Sequence, residues 1–348
     1  MSELLFIADV SHKSGIGHLM RCLALAQAAQ QRGLESVFFV SRYGQDVALS
    51  RHDWCGRLVL VDINSDRTIA ALRGRIASQH CVGLVVDGYY FEHQFIAELS
   101  KLPIPLLMLD DIKTAACEYA DIIVNPAAPQ WLQDYREINS RAQLCLGARY
   151  RLLRREFMQV PILPISKRQS LTINFGGSDP MCLTLPVLKI LTQHLPNIPF
   201  RVVTGPGYSQ LDSLRDFIAL SGAFIQHIHN CQDMVDLWTH SRLTVAAAGG
   251  VQFELCACQC PSVLIVVADN QYQATKKASE QGWCEILDAR SGFDETSFIK
   301  TVSALWNNDV QLADMQINAK TWSHVTGADN VLDALATYVQ AWKGSDSE

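Results

Sequence analysis

The feature that most constrains the fold is a series of short apolar runs separated by stretches long enough for a helix. Several runs, such as GLVVD and DIIVN, are apolar at nearly every position. A strand of this kind is buried on both faces, as in a parallel sheet covered by helices. We therefore predict an α/β chain. The runs of the first half lie at 4–8, 36–40, 58–61, 83–86, 106–109, 121–124 and 143–146.

A second series of the same kind follows the segment VPILPISKR, residues 160–168. Its two prolines and lack of periodicity are typical of a connection between domains. The later runs lie at 171–175, 200–204, 223–227, 243–247, 262–266 and 284–287. We predict two doubly wound Rossmann-like domains with a cleft between them, an N-terminal domain over 1–160 and a C-terminal domain over 169–348. A helix over 329–342 at the end of the chain is expected to pack back on the first domain.

Composition and charge exclude several classes of protein. Lys and Arg number 29 against 35 Asp and Glu, so the chain as a whole attracts a phosphate backbone weakly, and we expect no nucleic-acid partner. The 11 cysteines are odd in number and scattered, which argues against a disulfide framework. No apolar run approaches the ~20 residues of a membrane-spanning helix, and no signal-peptide pattern opens the chain. We expect a reduced cytoplasmic monomer without membrane insertion.

The strongest local motif is DVSHKSGIGHLMRC, between the first predicted strand and the first helix. Gly15 and Gly17 allow backbone conformations closed to other residues, and the start of a helix offers free N–H groups. Near neutral pH the imidazole of His18 can take a proton from water. A tight turn with a surface histidine is the alternative, because G-x-G-H alone is a weak signal. From this loop we assign Asp9, Gly15, Gly17 and Arg21 to substrate binding.

Two further strand ends in the first half carry polar groups to the same predicted edge. Asp87 and Tyr89 follow GLVV, and LDD places Asp110 and Asp111 after LLML. Asp87 or Tyr89 can orient a substrate hydroxyl or a water molecule. The alternative is that Asp and Gly are ordinary residues at the end of a strand.

In the second half, three loops follow predicted strands and are expected to lie together at the carboxyl edge of the sheet. In NFGGSDP the paired glycines and the serine suit a phosphate, although a plain strand-to-helix turn is the alternative. AAGGVQFE offers glycine N–H groups for a diphosphate, and Glu254 could accept hydrogen bonds from a ribose or simply favour the first helical turn. ADNQ ends a strongly apolar strand. The candidate binding residues are Gly176, Gly177, Ser178, Gly249, Gly250, Val251, Glu254, Asp269 and Gln271.

Neither a metal site nor a cofactor is predicted. His227 and His229 have strand spacing, but no third ligand completes a site. Cys256, Cys258 and Cys260 lack the paired spacing of zinc ligands. NFGGSDP matches neither an ATP P-loop nor a dinucleotide fingerprint, which disfavours a dehydrogenase.

Taken in order, the motifs ADVSHKSGIGHLMRC, VVDGYY, LDD, VNPAAP, LGARYRLLRREF, NFGGSDP and AAGGVQFELCACQCPSVLIVVADNQ resemble the UDP-2,4-diacetamido-2,4,6-trideoxy-β-L-altropyranose hydrolases of pseudaminic acid biosynthesis. The resemblance covers most of the chain. It implies the fold of GT-B glycosyltransferases, which include the enzyme that makes lipid II. It also implies inverting attack of water at the anomeric carbon of a UDP-sugar, without a metal.

Residue by residue, the resemblance assigns the catalytic base to His18. It places Tyr89 and Asn270 beside the sugar and the water, Glu254 at the ribose, and the turn of Gly249, Gly250 and Val251 at the diphosphate. The first loop of this chain reads DVSHKSGIGH, whereas relatives more often have Asp-Ala-Ser followed by a short polar run, so His12 and Lys13 are unusual there. Relatives commonly carry a hydroxyl residue where this chain has Gly250, so one side-chain bond to phosphate is missing.

Three other functions remain open on the sequence. A glycosyltransferase on the same scaffold would use His18 on an acceptor hydroxyl, but the first domain shows no obvious acceptor-docking surface. A catalytically silent nucleotide-sugar binding protein would not need His18. A UDP-sugar 2-epimerase would be told apart by its product.

Overall fold

The computed structural model describes residues 2–11, 14–127 and 129–345. It divides into two compact units, the first made of Met1–Met158 with His324–Glu348 and the second of Gln159–Ser323. Each unit is built on one parallel sheet with helices on both faces. The predicted α/β class and the two Rossmann-like domains are confirmed.

Unit 1 has a seven-stranded sheet in the order β3-β2-β1-β4-β5-β6-β7. Its strands are β1 (Glu3–Ala8), β2 (Glu35–Val40), β3 (Arg57–Leu60), β4 (Cys81–Asp87), β5 (Leu106–Leu109), β6 (Ile122–Asn125) and β7 (Gln143–Leu146). Its helices are α1 (Gly17–Gln31), α2 (Arg42–Leu49), α3 (Asp66–Ser78), α4 (His93–Leu99) and α5 (Leu132–Ile138), joined by α13 (Gly327–Ser345) from the end of the chain.

Unit 2 has a six-stranded sheet in the order β10-β9-β8-β11-β12-β13. Its strands are β8 (Ser170–Asn174), β9 (Phe200–Thr204), β10 (Ile225–His229), β11 (Ser241–Ala247), β12 (Ser262–Val266) and β13 (Cys284–Asp288). Its helices are α6 (Thr184–His194), α7 (Leu211–Ser221), α8 (Met234–Thr239), α9 (Val251–Ala257), α10 (Asp269–Glu280), α11 (Glu295–Trp306) and α12 (Asp309–Trp322).

Helix α13 belongs to unit 1 because its apolar face completes that core. Val331 and Leu335 are buried in one cluster with alanines of α1 and side chains from one face of the sheet. Arg32 forms ion pairs with Asp329 and Asp333, and the Tyr338 hydroxyl donates to Asp121 at 2.8 Å. The range 169–348 predicted for the second domain therefore runs past the end of unit 2, which stops at 323.

One predicted strand lies two residues away from its expected place. The run 223–227 becomes β10 at Ile225–His229, because Gly222 ends α7 in the left-handed conformation with φ 66° and the next residues lead out of the helix. Among the described residues, no helix is both long and apolar enough to cross a bilayer.

In each sheet the chain order reverses beside the first strand of the unit. The reversal lies between β1 and β4 in unit 1 and between β8 and β11 in unit 2. In open parallel sheets, ligands bind outside the carboxyl ends of the strands that flank such a reversal. The loops that follow these four strands are therefore where a functional site is expected.

Candidate active site

At the reversal in unit 1, His18 and Asp87 form a buried pair. His18 is the second residue of α1 and is 4% exposed, while Asp87 ends β4 and is fully buried. The Nδ1 atom of His18 lies 2.7 Å from Oδ1 of Asp87. Because the pair joins a helix start to a strand end across 69 residues of sequence, the sheet topology itself holds the imidazole in place.

This contact fixes the tautomer of His18. An ionised carboxylate only accepts hydrogen bonds, so Nδ1 must carry the proton that Asp87 accepts. The neutral ring then presents Nε2 as an acceptor, the arrangement that a general base requires. The Nη2 atom of Arg21 also lies 2.9 Å from Nδ1, but both nitrogens are donors and both are directed at Oδ1 of Asp87.

Arg21 joins Asp87 to a second carboxylate, Asp111. It donates from Nε to Oδ2 of Asp87 at 2.9 Å and from Nη2 to Oδ1 at 2.6 Å, which is a bidentate pair. Its Nη1 donates to Oδ2 of Asp111 at 3.0 Å. His18 and Arg21 are three residues apart on α1 and therefore face the same way.

Tyr89 completes the network from the loop after β4. Its hydroxyl donates to Oδ2 of Asp111 at 3.0 Å, and its ring meets the ring of His18 edge to face, with centroids 4.4 Å apart. Gly88, between Asp87 and Tyr89, has to be a glycine because a Cβ there would lie 2.2 Å from Cβ of Asp9. The close approach of the β1 and β4 ends thus depends on this residue.

The charges in the network support one another. Burial alone would raise the pKa of Asp87, but the positive charge of Arg21 and the hydrogen bonds from Arg21 and His18 outweigh it and leave that pKa below its usual value. Burial opposes the charge of Arg21, yet the two carboxylates hold its pKa well above the usual value. Burial and the nearby charge of Asp111 raise the pKa of Tyr89, so its hydroxyl keeps its proton.

Asp9 lies at the end of β1, beside this network. It is 8% exposed, and its Oδ1 accepts a hydrogen bond from Ser14 at 3.4 Å. Gly15 has φ 74° and pairs with Ser11 to close the turn, and Gly17 begins α1. His12 and Lys13, which depart from the family pattern, lie outside the described residues.

In unit 2, the loop after β8 has free space beside its first glycine and an aspartate that caps the next helix. Gly176 has φ 83°, and a Cβ there would meet no atom within 4 Å. Gly177 lies so close to Gly205 that a Cβ on Gly205 would be 2.5 Å from the Gly177 Cα. Asp179 accepts hydrogen bonds from the amides of residues 183 and 184 at the start of α6. Ser178 is half-buried between these features.

The loop after β11 leaves space in front of α9. A Cβ at Gly249 or Gly250 would meet no atom within 4 Å, and Val251 is the first residue of the helix. The side chain of Gln252 donates to the carbonyl oxygens of residues 248 and 249 and so fixes the turn. Glu254, one turn into α9, accepts a hydrogen bond from Nε1 of Trp238 at 3.3 Å.

The three candidates at the start of α10 differ in their surroundings. The side chain of Gln271 accepts from the backbone amide of Val267 at 3.0 Å, so it stabilises its own loop. Asp269 is 91% exposed at its side chain and pairs with Arg290 at 2.5 Å. Asn270 is half-buried in the first turn of the helix.

The structure thus brings five first-half residues into one network and distributes the others over separate loops. The sequence analysis named Asp111 in the LDD motif but assigned it no role. In the structure it belongs to the same network as His18, Arg21, Asp87 and Tyr89. Ser14 and Trp238 were not predicted, since nothing in their local sequence marks them. Asp110 has a structural role, accepting from the amides of residues 113 and 114.

The residues weighed as metal ligands contact other groups. His227 and His229 both contact the hydroxyl of Thr204, at 2.8 Å and 3.1 Å. Cys256, Cys258 and Cys260 are buried in unit 2. Within 2–11, 14–127 and 129–345, no group of three or more His, Cys, Asp or Glu residues could hold a metal ion.

Two curated proteins have similar sequences. "Uncharacterized protein MJ1062" of Methanocaldococcus jannaschii is 24% identical over 282 residues, which are 78% of this chain and 56% of that protein. The UDP-N-acetylglucosamine–N-acetylmuramyl-(pentapeptide) pyrophosphoryl-undecaprenol N-acetylglucosamine transferase of Natranaerobius thermophilus is 24% identical over 190 residues, half of each chain. The alignments thus span only 56% and 50% of these relatives. No family model matches the chain.

Solved structures share the fold over nearly the whole chain. Staphylococcus aureus MnaA, solved with UDP, has a TM-score of 0.70 at 11% identity and covers 97% of both chains. Acinetobacter baumannii MurG has a TM-score of 0.65 at 15% identity over 97% of this chain and 100% of its own. The UDP-GlcNAc 2-epimerase of Neisseria meningitidis, bound to UDP-GlcNAc, has a TM-score of 0.64 at 13% identity over the same shares. The chain therefore has a GT-B glycosyltransferase-like fold.

Proposed function

We propose that this protein hydrolyses a UDP-linked sugar at its anomeric carbon and releases UDP and the free sugar. The buried pair of His18 and Asp87 carries the proposal, because it leaves Nε2 of His18 as an oriented acceptor beside Tyr89. The names of the fold neighbours, which include UDP and UDP-GlcNAc complexes, support a UDP-sugar ligand. The resemblance to the pseudaminic acid pathway family supports a diacetamido-trideoxyhexose as the sugar.

The chemistry assigns a separate role to each group. Nε2 of His18 takes a proton from water, and the water oxygen bonds to the anomeric carbon. The bond from that carbon to the diphosphate oxygen breaks, and UDP leaves with its electron pair. Attack opposite the leaving group inverts the anomeric configuration. Tyr89 and Asn270 position the sugar or the water, and the step needs no metal.

The nucleotide is assigned to unit 2. The open turns at Gly176, Gly177 and Ser178 and at Gly249, Gly250 and Val251 offer backbone N–H groups for the phosphates. Glu254 accepts hydrogen bonds from the ribose, and its bond from Trp238 holds the carboxylate in place. Asp269 and Gln271 support the loop that carries Asn270.

Glu254→Gln is expected to weaken binding of UDP by about tenfold, because an amide accepts ribose hydroxyl bonds less strongly than a carboxylate. The effect should be specific to the ribose. The wild type should bind UDP more tightly than 2′-deoxy-UDP, and this preference should be clearly smaller in the variant, as measured by titration calorimetry. Glu280→Gln, an exposed change at the C-terminal end of α10 in the same unit, is the control. An unchanged preference for UDP in the Glu254 variant would contradict the ribose role.

Glycosyl transfer is the second candidate, since the curated transferase from Natranaerobius is one of the relatives. The same base would then take its proton from an acceptor alcohol. The test is to incubate the protein with UDP-linked diacetamido sugars in EDTA without an acceptor and to follow the products by NMR. Release of UDP and a sugar of inverted configuration supports hydrolysis. Absence of release in spite of UDP binding contradicts it and favours transfer.

A further inference from the structure

Within the described residues, two carboxylate oxygens beside His18 have no hydrogen-bond partner. They are Oδ2 of Asp9 and Oδ1 of Asp111, and both are buried. The other oxygen of each residue is used, by Ser14 in Asp9 and by Arg21 and Tyr89 in Asp111. A buried carboxylate oxygen without a donor is unfavourable, so each of these atoms is suited to receive one from a ligand.

The order of the strands places Asp9 and Asp111 on either side of Asp87, the partner of His18. Asp9 follows β1, Asp87 ends β4 and Asp111 follows β5, and these three strands are neighbours in that order. At about 4.8 Å between neighbouring strands, the backbones of Asp9 and Asp111 lie roughly 10 Å apart. The two carboxylates therefore flank the general base that the proposed reaction uses.

In the part of the chain that the structure describes, the side-chain donors of the network between them are directed at carboxylates. Nε, Nη1 and Nη2 of Arg21 all donate to Asp87 or Asp111, and the Tyr89 hydroxyl donates to Asp111. His18 uses its Nδ1 proton on Asp87. This group contains three carboxylates, those of Asp9, Asp87 and Asp111, and the guanidinium of Arg21. An anionic substituent placed beside the two unpartnered carboxylate oxygens would be repelled by their negative charge.

We propose that Asp9 and Asp111 are specificity-determining residues that select a sugar with O–H or N–H donors and exclude one that carries a carboxylate. This inference rests on the proposed function, since it places the sugar at the His18 network. It assigns Asp111 a role in recognition in addition to its hydrogen bonds to Arg21 and Tyr89.

The test compares UDP-glucose with UDP-glucuronic acid, which differ only in a hydroxymethyl group against a carboxylate, with UDP as the reference. Titration calorimetry on the wild type is expected to show at least about tenfold tighter binding of UDP-glucose, a difference of one unit in log Kd. Asp111→Asn and Asp9→Asn should each reduce this ratio to about threefold or less, because each removes a negative charge. The Kd for UDP should stay unchanged in both.

Asp46→Asn, an exposed change on α2, is the matched control and should keep the wild-type ratio. Thermal melts monitor the folding of each variant, and the wild-type ratio tests the proposal without any substitution. Equal binding of the two sugars by the wild type, or an unchanged ratio in both variants, would overturn the selection of donors. Failure of the wild type to bind UDP would overturn the proposed function and the inference together.

Discussion

His18→Ala is expected to lower turnover of the UDP-sugar by about 10²- to 10⁴-fold, the usual contribution of a general base. The Kd for UDP should not change, because the nucleotide is assigned to unit 2. The reason lies in the geometry of the pair: Asp87 accepts the Nδ1 proton and thereby fixes Nε2 as the acceptor. Steady-state kinetics together with calorimetry measure both quantities.

His194→Ala provides a matched control, because His194 lies on the surface of α6 and its ring contacts only the backbone of its own helix in the described hydrogen bonds. This variant should turn over like the wild type. Turnover within about threefold of the wild type in His18→Ala would remove His18 from the mechanism.

Asp87→Asn is expected to cost both activity and stability. It leaves the buried guanidinium of Arg21 without its bidentate carboxylate, and removing one partner of a buried ion pair typically costs about 3–5 kcal/mol of unfolding free energy. The introduced amide can turn either its oxygen or its NH2 group toward Nδ1 of His18, so it does not hold the ring in the Nδ1–H tautomer. Turnover should fall at least about a hundredfold.

The same substitution should change the pH dependence of stability. The pKa of Asp87 is lower in the folded protein than in the unfolded chain, so its charge stabilises the fold above the unfolded pKa of about 3.9. That contribution is lost as the pH falls through the folded pKa. Wild type and variant should therefore differ most at neutral pH and converge in acid.

Hydrogen exchange at the amides of β1 and β4 measures this difference within unit 1. Asp46→Asn again serves as the control and should match the wild type at every pH. Equal protection of β1 and β4 in wild type and Asp87→Asn at neutral pH would contradict the role of the buried pair.

The sequence predicts the architecture well because the signal is local. Continuously apolar strands such as β6 and strand-to-helix turns at glycines report burial and chain direction over a few residues. The displacement of β10 and the extent of α13 are harder to predict. The first depends on how Gly222 ends α7, and the second on packing against α1, some 300 residues away in the sequence.

The candidate site is predictable only in part, because its contacts join residues that are far apart in the sequence. G-x-G-H marks His18, and the sheet pattern places Asp87 and Tyr89 at the same edge. No local pattern shows that Asp87 serves His18 and Arg21, because that contact spans 69 residues. Nor does a pattern show that Gln271 bonds to its own loop while Asp111 anchors Tyr89. Such roles follow from side-chain partners, which only the folded chain defines.

The most direct test of the central claim is hydrolysis in ¹⁸O-labelled water, with EDTA present and no acceptor, read by mass spectrometry within the first turnovers. Attack of water on the anomeric carbon predicts one label in the released sugar and none in UDP. Label in the β-phosphate of UDP would show cleavage of the phosphorus–oxygen bond instead. That outcome, or no release of UDP at all, would contradict the mechanism proposed for His18.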